Sequence, residues 1–221
     1  MCSKFATIAI FAALFAPASV QATLVHGNFS GTMSDGTDTT GVFGTPGADL
    51  ANDVITGTFA YNTSLLSQSI SNGTNTATGT GIGALTVTIT ITGHSHTFTD
   101  PTSSSMFLDD GGVSGQSEFK LHNSNNNGTT TNESVSLDIS DLFTPFATST
   151  DLTQSISVTN PFSSIDSFGI HDTGPNVAAA GDFSIISLTT TTQSQIPEPA
   201  SLTVLALGLA GIATARRRRA A

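Results

Sequence analysis

Two short acidic segments, Asp109-Asp110-Gly111-Gly112 and Asp35-Gly36-Thr37-Asp38, carry the residue types that hold a hard cation. Calcium takes about six to eight oxygens, and carboxylates beside backbone carbonyls in a glycine turn supply them. Asp109 and Asp110 are the metal candidates, and calcium is the one cofactor the residues suggest. Neither segment follows the spacing of a helix–loop–helix calcium site. The competing reading is a hairpin turn in which aspartate caps local N–H groups and glycine takes positive φ. His94 and His96 flank Ser95, so on a strand both would point to one face. A metal would need a further ligand there, and solvated histidines are the expectation. Glycoside hydrolysis needs two carboxylates facing each other across a cleft, and Asp109, Glu118, Glu133 and Asp138 are the nominees. The chain has no Gly-x-Ser-x-Gly elbow, no tryptophan and only one tyrosine, Tyr61. It therefore lacks a nucleophile motif and the commonest aromatic platforms for sugar. No catalysis is expected.

Strands must position these side chains. Leu85, Val87, Ile89 and Ile91 alternate with threonines, and Val135, Leu137 and Ile139 alternate with polar residues. Phe119 and Leu121, Ile55, Phe59 and Tyr61, and Ile156 and Val158 repeat the pattern. A period of two means one buried and one wet face. Phe183–Thr192 reads as a final strand whose parity breaks at Ile185-Ile186, as at a bulge. Asn72-Gly73, Asp110-Gly111-Gly112, Asn123–Gly128 and Asn160-Pro161 read as turns. Thr and Ser fill a third of the segment between the two ends, which favours strands and turns. The expected fold is all-β, an antiparallel sandwich or jelly roll of about eight to ten strands. Five Asn-x-Ser/Thr sequons, at Asn28, Asn62, Asn72, Asn127 and Asn132, are a weak signal for attached sugar.

Both ends differ from the middle. Lys4, the apolar run Phe5–Phe15, Pro17 and Val20-Gln21-Ala22 form a secretory leader, 1–22, cleaved after Ala22. The only cysteine, Cys2, lies inside it, so the mature domain can form no disulfide. The ectodomain is expected over 23–192 and a linker over 193–199. Residues 200–215 are uncharged and apolar, and 216–221 begins with Arg216, Arg217, Arg218 and Arg219. Such a stretch reaches about 24 Å as a helix, enough to span a membrane with slight thinning. The arginines would keep its end in the cytoplasm. Between the ends, Lys120 is the one basic residue against 15 acidic ones, a formal charge of −14. One lysine cannot replace the counterions of a phosphate polyanion, so nucleic acid is excluded as a partner.

The order Ile196-Pro197-Glu198-Pro199-Ala200, apolar stretch and arginine cluster resembles the PEP-CTERM sorting signal. The strand-like phrase Val54–Asn62 and the turn-bearing Phe107–Gly112 also look like pieces common among ectodomains that carry this signal. Proteins with that signal are exported and processed by an exosortase, and are associated with exopolysaccharide and biofilm in Gram-negative bacteria. The resemblance implies Sec export, a transient inner-membrane anchor through the C-terminal helix, cleavage near Pro197, Glu198 and Pro199, and a final place at the cell surface or in the extracellular matrix. It implies no particular activity; the tail and the acidic, polar composition together lead to the expectation of a non-enzymatic structural component associated with extracellular polysaccharide. Two alternatives stay open: a calcium-dependent carbohydrate-binding module and, less expected, an extracellular polymer hydrolase.

Overall fold

The computed structural model describes residues 23–80, 83–99, 102–126, 132–171 and 177–194. The leader with Ala22, the sequon at Asn127 and everything from 195 on, including Pro197, Glu198, Pro199, the apolar stretch and Arg216–Arg219, lie outside them. Fifteen strands follow in order among the described residues. They are β1 (Thr23–Met33), β2 (Thr37–Asp38), β3 (Ala48–Asp49), β4 (Val54–Asn62), β5 (Ser67–Ser71), β6 (Thr74–Gly79), β7 (Leu85–Ile91) and β8 (His94–Phe98). The rest are β9 (Ser103–Asp110), β10 (Ser117–Asn126), β11 (Asn132–Asp141), β12 (Ser157–Thr159), β13 (Ser163–Ser164), β14 (Asp166–His171) and β15 (Val177–Ser194). A single 3-10 turn, Thr63–Leu65, is the one helical element among these residues. None of their helices is long and apolar enough to cross a membrane.

Eleven strands form one continuous path, β5-β6-β9-β10-β11-β14-β15-β1-β4-β7-β8. Every neighbouring pair is antiparallel. The sheet curls until its second half lies over its first. Phe59 on β4 meets Phe119 on β10 with ring centroids 5.8 Å apart, and His96 Nε2 on β8 lies 3.3 Å from Glu133 Oε1 on β11. The expected all-β antiparallel fold is present, built from one curled sheet. The path holds more strands than expected because β5 and β6 are Ser/Thr/Asn-rich and give no apolar alternation; β5 is exposed along its whole length.

The apolar alternation becomes the core. Leu85, Val87, Ile89 and Ile91 are fully buried, as are Val135, Leu137 and Ile139, while the threonines and serines between them stay partly wet. Removing these side chains from water is the main drive for closing the sheet. The parity break falls where expected: pairing of β1 with β15 shifts between Ser30 and Gly31, leaving Ile186 as the extra residue. Asn72 and Gly73, both at positive φ, join β5 to β6 as a two-residue hairpin turn.

One turn reading is corrected. Asn123 belongs to β10 and not to a turn, and it is buried. Its Nδ2 donates to the carbonyls of Leu85, at 3.1 Å, and Phe98, at 3.3 Å. An amide that satisfies two carbonyls across the closing sheet is favoured inside the core, whatever its preference for turns.

Candidate functional site

Aspartate side chains end several of these strands, and their surroundings decide what they can do. Asp109 and Asp110 are the last residues of β9, where alternation sends them to opposite faces. Asp109 is buried, with Oδ1 accepting from the Gly111 N–H at 2.8 Å and Oδ2 from Thr74 Oγ1 at 3.2 Å. Asp110 Oδ1 accepts from the Gly112 N–H at 2.9 Å. Both carboxylates cap the turn that follows. Asp38 is fully buried and accepts three backbone N–H groups: Oδ1 from Gly41 and Val42 at 2.9 and 2.8 Å, Oδ2 from Phe43 at 2.7 Å. Asp35 accepts from the Asp182 N–H at 3.2 Å, on the rim of a groove of about 670 Å³ that Gly36, Thr37, Phe168 and Ala180 also line. Among the described residues no three His, Cys, Asp or Glu side chains gather closely enough to hold a metal.

Of the four nominated carboxylates, three converge and one does not. Glu118 stands opposite Asp109 across β10 and β9, and Lys120 stands opposite Asp138 across β10 and β11. Lys120 Nζ reaches Glu118 Oε1 at 2.8 Å and Asp138 Oδ2 at 3.1 Å, and sits 5.6 Å over the Phe107 ring. The hydrogen bond to Glu118 is the largest reason its ammonium is held above the usual lysine range. The one lysine of the segment is thus committed to its own sheet face. Glu133 lies apart, beside His96, whose ring packs edge-on against Phe98. His94 is exposed. Of the sequons, Asn28, Asn72 and Asn132 are exposed, while Asn62 caps the 3-10 turn by accepting the Ser64 N–H.

Sequence reasoning passed over Asp166, because two of its three partners, Asp138 and Ile185, lie 28 and 19 residues away along the chain. It is 2 % exposed. Its Oδ1 accepts from the Asp138 N–H at 2.7 Å, and its Oδ2 from the Ile185 N–H at 3.1 Å and from Ser164 Oγ. It thereby ties β11, β13 and β15 together. Burial pushes its carboxyl up to about 6, against hydrogen bonds that pull the other way. A carboxyl raised in the folded state favours the fold when protonated. That contribution is complete below about pH 4 and is lost as pH rises through about 6. The stability difference between wild type and Asp166→Asn should therefore change between about pH 4 and 6, by on the order of 3 kcal/mol, the wild type losing ground as pH rises. Urea melts of both proteins across that interval check it; parallel profiles would refute it. Tyr61 is also buried, donating to the Leu152 carbonyl at 2.5 Å, and its hydroxyl is pushed well above the ordinary tyrosine range by burial first and the nearby Asp151 charge second. The one tyrosine is thus part of the core and offers no sugar platform.

The carboxylates described above are engaged by backbone N–H groups, by hydroxyls, by Lys120 or, for Glu133, by His96. The family model for the PEP-CTERM protein-sorting motif matches residues 195–219. That motif marks the chain as an exported, surface-directed protein handled by exosortase. No curated protein and no solved structure matches the chain significantly.

Proposed function

We propose that the chain is a non-enzymatic structural protein of the cell surface or extracellular matrix, a β-domain freed from a leader at one end and a sorting tail at the other. The observation that carries this is the sorting motif at residues 195–219, which follows an all-β domain. Cleavage after Ala22 and near Pro197-Glu198-Pro199 would leave every described strand in the mature chain, including the Thr23–Ser194 pair of β1 and β15.

The acidic surface suits this role. A formal charge of −14 over residues 23–196, with Lys120, the one lysine there, already paired, keeps copies apart and soluble among hydrated polymers. The inner membrane serves as a transient station through residues 200–215, and Arg216–Arg219 orient it. Intact mass and terminal peptide mapping of the protein recovered from its native cell surface test the proposal. A chain starting at Thr23 and ending near Pro197-Glu198-Pro199 is the expected result. A chain still ending at Ala221 would make the tail a permanent anchor and remove the basis for a matrix role.

A further inference from the structure

Among the ten large apolar side chains left exposed in the described residues, two are phenylalanines. Phe143 is 76 % exposed and Phe162 58 %, whereas Phe29, Phe43, Phe59, Phe98, Phe119, Phe168 and Phe183 are buried. The two exposed rings meet edge to face, with centroids 5.2 Å apart and planes at 76°. Each sits on a fixed turn. Asp141 Oδ1 accepts the N–H groups of Phe143 and Thr144 at 2.8 and 2.9 Å, and Pro145 follows. Asn160, at φ +50°, donates its N–H to the Ile186 carbonyl at 2.7 Å. Pro161 then restricts the backbone before Phe162, and β13 pairs directly after it with β11. Apolar rings held in water by such turns forgo burial, and two of them in contact form a paired apolar surface open to a ligand. Because the turns fix them beforehand, a ligand would lose little entropy in ordering them.

We propose that Phe143 and Phe162 form a contact site for a neutral, hydroxyl-rich glycan. This rests on the surface-protein reading above and names its partner. Charge narrows the choice of occupant. The formal −14 of residues 23–196, whose one Lys or Arg, Lys120, is already paired, repels an anionic polymer or a second copy. A neutral pyranose brings no charge. The C–H groups on one side of its ring form an apolar face that fits the electron-rich face of an aromatic ring. Its hydroxyls find uncharged partners in Thr144, Asn160 and Ser163, the sequence neighbours of the pair.

Affinity electrophoresis of the full chain as recovered from cells provides the test, in gels containing neutral glucan, mannan or galactan, or anionic alginate. Retardation is expected in at least one neutral gel and not in alginate. The Phe143→Ala, Phe162→Ala double variant should bind at least tenfold more weakly at an unchanged melting temperature. If the alanine pair does not fold, Phe143→Leu with Phe162→Leu keeps apolar volume without a ring and is read the same way. No retardation in any neutral gel, or equal retardation of a folded variant, overturns the inference. So does light scattering that shows a wild-type dimer dissolved by the substitutions, which would assign the pair to a second copy. The terminal map is independent of this result. A chain processed at both ends yet retarded by no neutral glycan loses this inference alone, and a retarded chain with an intact tail loses the matrix reading alone.

Discussion

Gly57→Ala should destabilise the domain by about 3 kcal/mol, lowering Tm by roughly 10 °C for a chain of this size. Elsewhere in a strand alanine would be the better residue, since glycine loses more backbone freedom on folding and packs nothing. Here the missing side chain is the point of the residue. β1 and β4 pair so that Phe29 lies opposite Gly57 and Phe59 opposite Gly27. Each ring covers the glycine across from it. A Cβ on Gly57 would come 2.2 Å from Phe29 Cζ and 2.6 Å from the Thr88 carbonyl of β7; one on Gly27 would come 2.1 Å from Phe59 Cζ. The Phe29 ring could move only by leaving its stack with Phe183, 6.0 Å away. The Thr88 carbonyl is backbone in a paired strand and cannot give way. Chemical denaturation measures the loss. Adding Phe29→Leu to Gly57→Ala should recover part of it, because the two residues contact and their effects will not add. A stable Gly57→Ala protein would mean the rings do not lie over the glycines.

Such reciprocal packing is only half legible in sequence. The parity of Ile55, Phe59 and Tyr61 with Gly57 among them places the glycine on the buried face. Nothing in the spacing says that Phe29, 28 residues earlier, fills its place. The same limit recurs through the fold. Central strands such as β7 and β11 are readable because one face is dry and the other wet, so period two is imposed on the sequence. The edge pair β5 and β6 carries little of that signal, since β5 buries nothing. Asn123 has the residue type of a turn and the position of a core strand, and only the approach of Leu85 and Phe98 decides between them. Among the candidate sites, residue type pointed to aspartates beside glycines, and it was sound as far as turns go. It could not tell which side chains would be buried and satisfied, as Asp38 and Asp166 are, or that Phe143 and Phe162 would be left outside the core. The sorting motif was readable in full because its meaning lies in a short linear order and not in long-range packing.

Asp38→Ala should cost about 4 kcal/mol, more than loss of the less buried turn aspartate Asp110. Asp38 lies on β2, fully buried, and its two oxygens take all the N–H groups of the Gly41-Val42-Phe43 bend. Successive amides pointing into one concavity make a site for an anion, and here the chain supplies its own. Alanine would leave three donors facing a dry space, and each unmet donor costs free energy of its own. The damage would spread through Phe43, which is buried and meets Phe168 edge-on at 5.4 Å. Asp38→Asn separates charge from shape. Its carbonyl can still accept from Gly41 and Val42, but its amide would face the Phe43 N–H donor to donor, so an intermediate loss is expected. Calcium distinguishes this account from a cation site, because three N–H donors already surround the carboxylate and, among the described residues, no group of three His, Cys, Asp or Glu could hold a metal. Millimolar calcium should leave the wild-type midpoint unchanged in the same denaturation experiment. A calcium-dependent rise abolished by Asp38→Asn would show instead that the Asp35–Asp38 segment holds a metal and that the bend only rests on it.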